Sequence, residues 1–435
     1  MLPKILYDTY VLGLAHTHPE VRTGVFRVVK NVIERLNQSN EVEVTFNINH
    51  NCKLDALEYI QQEASLGDRK NIYPSILQMY LSRSEREIAL KQKKAKSNRH
   101  HSLMHRGVYG SIGKLLGYYS KLLNNFENRL DKQILSAIDI YHSPFHPIPE
   151  FILAQKKIKR FVTFYDMIPI LLPHYFDNKA IIEDIKGATK SIKNQGYGFA
   201  ISQSTKNDLC NYSKEVSPDN IIVTHLAASP KTFYPFIDND YAKNIRLKYN
   251  IPDKPYFLSL CTLEPRKNID SIIRSFVKLV NDQNLHELNL VLVGIKGWQF
   301  DKIFEEIKNS DRAKNQIVVT GFAEDIDLAP IYSGALGFFY MSLYEGFGLP
   351  PLEAMQCGVP VITSNTSSLP EVVGGAGIML DPKDEDGLCQ AMLDVYNSAS
   401  LRAEMSRKSL AQAAKFSWDK TVQQTIQGYK TALQR

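Results

Sequence analysis

ALGFFYMSLYEGFGLPPLEAMQCGVPVIT, residues 335–363, spells a strand, a loop, a short helix and a second strand. ALGFFYM and VPVIT are short apolar runs rich in aromatic or β-branched residues, which predicts buried strands. Pro350 and Pro351 stop a helix from starting earlier and suit its first turn, so PLEAMQC is expected as a helix closed by Gly358. Two strands joined through a helix run parallel, the mark of an α/β layer. Glu345 then lies in the loop and Glu353 in the first helical turn, not on one helix face. They could be the acid and nucleophile of a sugar-cleaving enzyme, or two grips on a bound ligand.

The same alternation extends along most of the chain. ILYDTYVL (5–12), VEVTFNI (42–48), IDIYH (138–142), RFVTFY (160–165), YGFAIS (197–202) and NIIVTH (220–225) read as strands of a first half. YFLSL (256–260), LNLVLVG (288–294), QIVVTG (316–321), ALGFFYM and VPVIT read as strands of a second. Between them, residues 226–255 carry prolines and turn residues with little apolar periodicity, as expected of a linker with room for a short helix. A chain of 435 residues exceeds what one core usually organises, so two domains are expected. The reading is an N-terminal domain over 1–240, interrupted by a mostly helical insertion at about 50–136, a C-terminal domain over 241–415, and a terminal helix over 416–435. Open α/β sheets bind ligands beyond the carboxyl ends of their strands, so functional residues are sought just after strands.

Composition narrows the class. Hydrophobic residues at 44% and charged residues at 23% are those of a globular protein. Cys52, Cys210, Cys261, Cys357 and Cys389 are scattered and form no C-x-x-C, which disfavours a disulfide framework or zinc site and fits a reducing cytosol. Neither a signal sequence nor a spanning helix is expected. A net charge of +6 is too mild to imply nucleic-acid binding. Residues 91–106, KQKKAKSNRHHSLMHR, concentrate positive charge without an acid. That segment reads as a solvated helix end, or as a patch for peripheral contact with anionic lipid at the inner membrane surface or with an acidic glycan. His100, His101 and His105 lack the neighbouring ligands of a metal site.

Three turns carry candidate chemistry. Val25, Val28, Val29, Val32, Ile33 and Leu36 recur at helical spacing, which puts Thr23-Gly24 in a strand-to-helix turn where backbone N–H groups can approach a phosphate. A single glycine also serves turn geometry alone, and it is no G-x-G-x-x-G dinucleotide fingerprint. In CTLEPRKNIDSIIRSF (261–276), Asn268 is expected to cap a helix, placing Arg266-Lys267 at the end of a core strand. Two adjacent cations there can neutralise the charge of a departing diphosphate. Gly346 and Gly348 leave backbone N–H groups accessible to an oxyanion, and the Glu353 carboxylate can accept from vicinal ribose hydroxyls, although its place near a helix N-terminus is favourable in itself. Asp238-Asn239-Asp240 and Asp325-Ile326-Asp327 spell D-x-D, but linker and helix-start positions make capping and solvation the better account, and no metal is expected.

EGFGLPPLEAMQCGVPVITSNTSSLPEVVGGAG resembles the signature of retaining glycosyltransferases of family four, with Glu345 and Glu353 as its E-x7-E pair. The likeness continues through STKNDL (204–209), LEPRKN (263–268), VTGF (319–322), LAPIYSGA (328–335), LDP (380–382) and TGVFRVV near the start. It implies the GT-B fold, two Rossmann-like domains facing across a cleft, with the donor nucleotide on the C-terminal one, the acceptor mostly on the N-terminal one, and a final helix returning to the first domain. By motif, Arg266 and Lys267 bind the donor diphosphate and assist its departure. Glu353 holds the ribose, Glu345 lies beside the transferred sugar, the backbone of Phe347, Gly348 and Leu349 contacts sugar or phosphate, and Gly24 faces the diphosphate.

The chain departs from the pattern at two places. Cys261 stands where many relatives have an arginine, leaving more of the diphosphate to Arg266 and Lys267. Tyr165 followed by Asp166 stands where many have a histidine, so Asp166 becomes the candidate to orient or deprotonate the acceptor hydroxyl and Tyr165 a candidate sugar contact. The expected function is transfer of a hexose, mannose or a relative of it, from a nucleotide-diphosphate sugar to a hydroxyl of a glycan or lipid-linked acceptor in surface polysaccharide or glycoconjugate synthesis. The donor is a substrate, and no resident cofactor is expected. A retaining glycosidase with carboxylates about 5–5.5 Å apart and a non-catalytic nucleotide-sugar-binding protein are the alternatives.

Overall fold

The computed structural model describes residues 2–18, 24–48, 53–63, 65–66, 71–72, 118, 132–176, 179–193, 195–297 and 300–435. Two sheets carry the chain. The first joins β1 (Lys4–Asp8), β2 (Glu43–Asn47), β3 (Asn71–Ile72), β4 (Ile140–Ser143), β5 (Lys159–Phe164), β6 (Tyr197–Ala200) and β7 (Ile221–Val223), in the order β3-β2-β1-β4-β5-β6-β7. The second joins β8 (Tyr256–Leu260), β9 (Asn289–Val293), β10 (Ile317–Gly321), β11 (Gly337–Tyr340), β12 (Val361–Ser364) and β13 (Ile378–Leu380), in the order β10-β9-β8-β11-β12-β13. The registers are parallel, with Phe338 opposite Val361 and Phe257 opposite Leu290. Counted from its first central strand, the second sheet has the 3-2-1-4-5-6 order of a doubly wound nucleotide-binding fold and the first has the same order extended by β7; the direction reverses between β1 and β4 and again between β8 and β11.

By compactness the chain forms two units, Met1–Thr163 with Lys186–Gly198 and Thr425–Arg435, and Phe164–Ile185 with Phe199–Gln424. In the first, Ile5, Leu6 and Tyr7 of β1 are buried, as a central parallel strand covered on both faces requires. His142 of β4 sits beside the end of the last helix, Trp418–Gln434, with Nδ1 2.6 Å from the Tyr429 hydroxyl and Nε2 2.8 Å from that of Thr163. Burial lowers its pKa to about 3, so the ring is neutral at physiological pH. In the second, the helix Ile269–Asp282 turns Ile269, Ile272, Ile273, Phe276, Leu279 and Val280 into the core.

Several boundaries differ from expectation. The run 5–12 is not one strand: β1 stops at Asp8, whose Oδ1 accepts from Tyr10 N–H at 2.9 Å, and the helix Tyr10–Thr17 follows. A short apolar run cannot by periodicity alone distinguish strand from buried helix, and Val11, Leu12 and Ala15 are buried helical residues. Gly24 therefore does not occupy the turn after β1. It is an exposed first residue of the next helix, Gly24–Gln38. The expected short helix in 226–255 is Asn239–Lys248. β13 is an edge strand that sequence reading passed over. The basic segment 91–106 with its histidines, and most of 50–136, lie outside the described residues. Among the described residues no helix is long and apolar enough to cross a membrane.

Candidate active site

The neighbours β8 and β11 both end at the switch point of the second sheet, and the segments that follow them build the site. After β8, Pro265–Lys267 forms a tight 3₁₀ turn. Arg266 within it is buried, its Nη2 2.5 Å from Glu264 Oε1 and its Nη1 3.1 Å from Glu345 Oε2 and 2.5 Å from the Tyr344 carbonyl. Lys267 Nζ lies 2.6 Å from Glu345 Oε1 and 2.8 Å from the Tyr340 hydroxyl, which itself donates to Glu345 Oε1 at 2.8 Å. Arg266 Nε is buried without a hydrogen-bond partner.

The charges hold one another ionised. Burial works against the Glu345 carboxylate, but the Lys267 and Arg266 charges outweigh it and bring its pKa down to about 2. Burial likewise opposes the Arg266 charge, and Glu345 and Glu264 overcome it. Glu264 goes the other way, raised by burial despite its arginine. Burial pushes the Cys261 thiol up to about 12, leaving it an inert neighbour.

Asn268 takes the position before the helix but does not cap it with its side chain. It adopts a left-handed conformation, φ 54°, and its amide donates to the carbonyls of Met341 at 3.1 Å and Pro382 at 2.7 Å. Those distant acceptors win over the local cap, so Asn268 anchors the turn to the segment after β11.

The helix Leu349–Gln356 starts two residues before the expected PLEAMQC, with both prolines inside its first turn, and Gly358 follows its end as expected. Glu353 falls in its second turn rather than its first. It is buried, with Oε2 accepting from the Tyr332 hydroxyl at 3.1 Å. The glycines serve the fold more than an open anion nest. A Cβ on Gly346 would strike the Tyr165 carbonyl oxygen and come within 2.8 Å of Asp166 Cβ, and Gly348 has φ +116° with Leu369 in the way. The Glu345 N–H is bound to Ser367 Oγ at 2.8 Å, and Ser368 Oγ donates to the carbonyls of Glu345 and Phe347. The Phe347 ring is buried 5.9 Å from that of Phe416, which leaves its backbone rather than its side chain to face a ligand.

Asp166 follows β5 and is half-buried, its Oδ1 accepting from Ile168 N–H at 2.9 Å. Burial raises its pKa, and the charges of Arg266, Glu345 and Lys267 all act on it. Asp166 thus lies within electrostatic reach of Arg266, Lys267 and Glu345, and the Tyr165 carbonyl and Asp166 Cβ pack against Gly346. Gly24 belongs to the other unit. Sequence reading missed Glu264 and Tyr340, although Glu264 stands in LEPRKN beside the cations and Tyr340 closes β11. Asp238 of the first D-x-D caps a helix through Tyr241 N–H at 3.0 Å. Asp327 of the second does not cap: it is buried, 2.7 Å from both Lys248 Nζ and the Tyr249 hydroxyl.

A model of the family described as glycosyl transferases group 1 matches residues 242–412. The chain is 34% identical over 296 residues to the O-antigen chain mannosyltransferase B of Escherichia coli, covering 67% of this chain and 74% of that protein. It is 30% identical over 271 residues to the serotype-specific mannosyltransferase WbdA of Escherichia coli, 62% of this chain and 33% of that one, so it spans about a third of WbdA. In fold it is similar to Anabaena Alr3699/HepE, solved in complex with UDP, with a TM-score of 0.64 at 13% identity over 99% of this chain and 100% of the other. WaaG, a glycosyltransferase involved in lipopolysaccharide biosynthesis, superposes with a TM-score of 0.59 at 13% identity, covering 98% of each chain. The fold is that of the GT-B glycosyltransferases, two Rossmann-like domains.

Proposed function

The chain belongs to the glycosyl transferases group 1, and on that premise we propose that it is a retaining hexosyltransferase of family four, moving mannose from a nucleotide-diphosphate sugar to a hydroxyl of a growing glycan or lipid-linked acceptor. The observation that carries this reading is the buried cluster of Arg266, Lys267 and Glu345 where β8 and β11 end, with Arg266 Nε still a free donor. The names of the two Escherichia coli relatives support mannose and polysaccharide synthesis, and UDP on the Anabaena protein supports a nucleotide-sugar donor.

Arg266 and Lys267 would neutralise the charge growing on the diphosphate as the bond from its oxygen to the sugar C1 breaks. Glu345 fixes both cations in place and lies beside the sugar. Glu353 would accept from the ribose hydroxyls, while the backbone of Phe347, Gly348 and Leu349 contacts sugar or phosphate. The acceptor oxygen would attack C1 from the face the diphosphate leaves, which preserves the anomeric configuration, and the leaving oxygen would take its proton. Asp166 would orient the acceptor hydroxyl or assist in that proton transfer. With two cations at the diphosphate the reading calls for no metal ion. Segment 91–106 would make the peripheral lipid contact.

The hydrolytic reading has less support. A retaining glycosidase has no leaving diphosphate to neutralise, so it leaves the buried Arg266–Lys267 pair held on Glu345 without a role. The deciding experiment incubates the protein with GDP-, UDP-, ADP- and dTDP-sugars, with and without an α-mannoside acceptor and with EDTA. Nucleoside diphosphate released only with acceptor, an α-linked product from an α-donor, and indifference to EDTA are expected. Cleavage of a simple glycoside without nucleotide would overturn the proposal.

A further inference from the structure

The helix Gln203–Tyr212 lies outside the catalytic roles assigned above, yet three of its contacts converge on them. Ser202, Thr205 and Asp208, spaced by three, fall along one face of it. The Thr205 hydroxyl is buried and lies 3.2 Å from the Tyr165 carbonyl and 3.2 Å from the Gly346 carbonyl, shared as a donor between the two, while accepting from Ser202 Oγ at 3.0 Å. One turn on, both Asp208 carboxylate oxygens accept from the Tyr344 hydroxyl at 2.8 Å. The helix start is itself fixed: Ser202 Oγ accepts from Thr205 N–H, and the Glu371 carboxylate accepts from the N–H groups of Gln203 at 2.8 Å and Ser204 at 3.1 Å.

These contacts bracket the site chemically. Tyr344 and Gly346 flank Glu345 in sequence, and the Tyr165 carbonyl belongs to the peptide plane that carries the Asp166 nitrogen. A hydroxyl holding the Tyr165 and Gly346 carbonyls together therefore fixes the backbone of Asp166 against that of Glu345. The absence of a Cβ at Gly346 lets the two segments touch at all.

We infer that Thr205 is a positioning residue, which through the paired carbonyls of Tyr165 and Gly346 sets the Asp166 carboxylate at the distance and angle from the Glu345–Lys267–Arg266 cluster that acceptor activation needs. Asp208 and Glu371 assist it by seating the helix. This rests on the role proposed above for Asp166. Thr205 touches neither donor nor acceptor; its effect is on turnover, because misplacing a catalytic group by about 1 Å can cost on the order of 100-fold in rate while leaving ground-state binding largely intact.

The test compares Thr205→Val, which keeps the shape and loses the hydroxyl, with Thr205→Ser, which keeps the hydroxyl, and with Asp166→Ala, each checked for a cooperative thermal transition. Thr205→Val is expected to lower kcat by roughly tenfold or more with the KM for the nucleotide sugar within about threefold of the parent, and Thr205→Ser to return kcat to within about threefold. Parental kcat in Thr205→Val alongside a lowered kcat in Asp166→Ala overturns the inference and leaves the role of Asp166 standing. Parental kcat in Asp166→Ala removes that role and the inference with it. A matching rise in KM and fall in stability in Thr205→Val, unrescued by serine, also overturns it, because a merely structural hydroxyl would behave that way.

Discussion

Lys267 Nζ and Glu345 Oε1 lie 2.6 Å apart, with side chains only 11% and 10% exposed, although 78 residues separate them in the chain. A buried ion pair seldom adds net stability, because desolvation offsets the attraction. Its value here is geometric: Glu345 draws Lys267 and Arg266 to one point, where the proposed function has them meet a diphosphate.

Lys267→Ala should therefore fail chiefly in turnover. If the two cations face a leaving diphosphate as proposed, losing one is expected to lower kcat by roughly 100- to 1,000-fold. Nucleoside diphosphate release under saturating donor measures it, and a loss below about tenfold would show that Arg266 suffices.

Acid should weaken the fold through Glu345. Its folded pKa, about 2, lies below the ordinary 4.5, so its stabilisation is complete above pH 4.5 and is lost as pH falls from there towards 2. Asp166 and Glu264, raised by burial, contribute with the opposite sign, so the comparison must be with Glu345→Gln. Urea unfolding at about pH 6 and about pH 3 should show a larger acid-induced loss in the parent than in the variant. Equal losses would contradict the depressed value.

Gly346→Ala puts a methyl group against the Tyr165 carbonyl and Asp166 Cβ. Overpacking of this kind costs about 1–3 kcal/mol and should move the two loops apart, lowering activity as well as stability. Chemical denaturation together with initial rates would reveal it; an unchanged midpoint would mean the loops have room to yield.

Glu353→Ala and Asp166→Ala should separate binding from chemistry. Loss of the ribose contact is expected to weaken donor binding by roughly tenfold, about the worth of one hydrogen bond to a charged group, whereas Asp166→Ala should mainly reduce kcat. Calorimetric titration with the nucleotide sugar, set beside steady-state rates, distinguishes them, and equal losses of donor affinity would contradict the division of roles.

Much of this molecule follows from local sequence. LNLVLVG had to be a strand covered on both faces, and Pro350, Pro351 and Gly358 bounded their helix, because backbone sterics act over a few residues. The charged residues of LEPRKN and the Glu345–Glu353 pair were singled out by their position after strands and by resemblance to a family signature, not by backbone sterics. Tertiary structure decided what those residues bind. Asn268 suits a helix cap, but Met341 and Pro382 carbonyls, brought close by the sheet order, compete for its amide. Asp327 looked like a cap and is a buried partner of Lys248. The apolar run after Ile5 continues as helix because Asp8 turns the chain at Tyr10. Periodicity reports which face of an element is buried. It carries no information on which element lies opposite, and that neighbour sets the charge state of Glu345 and the register of Asp166.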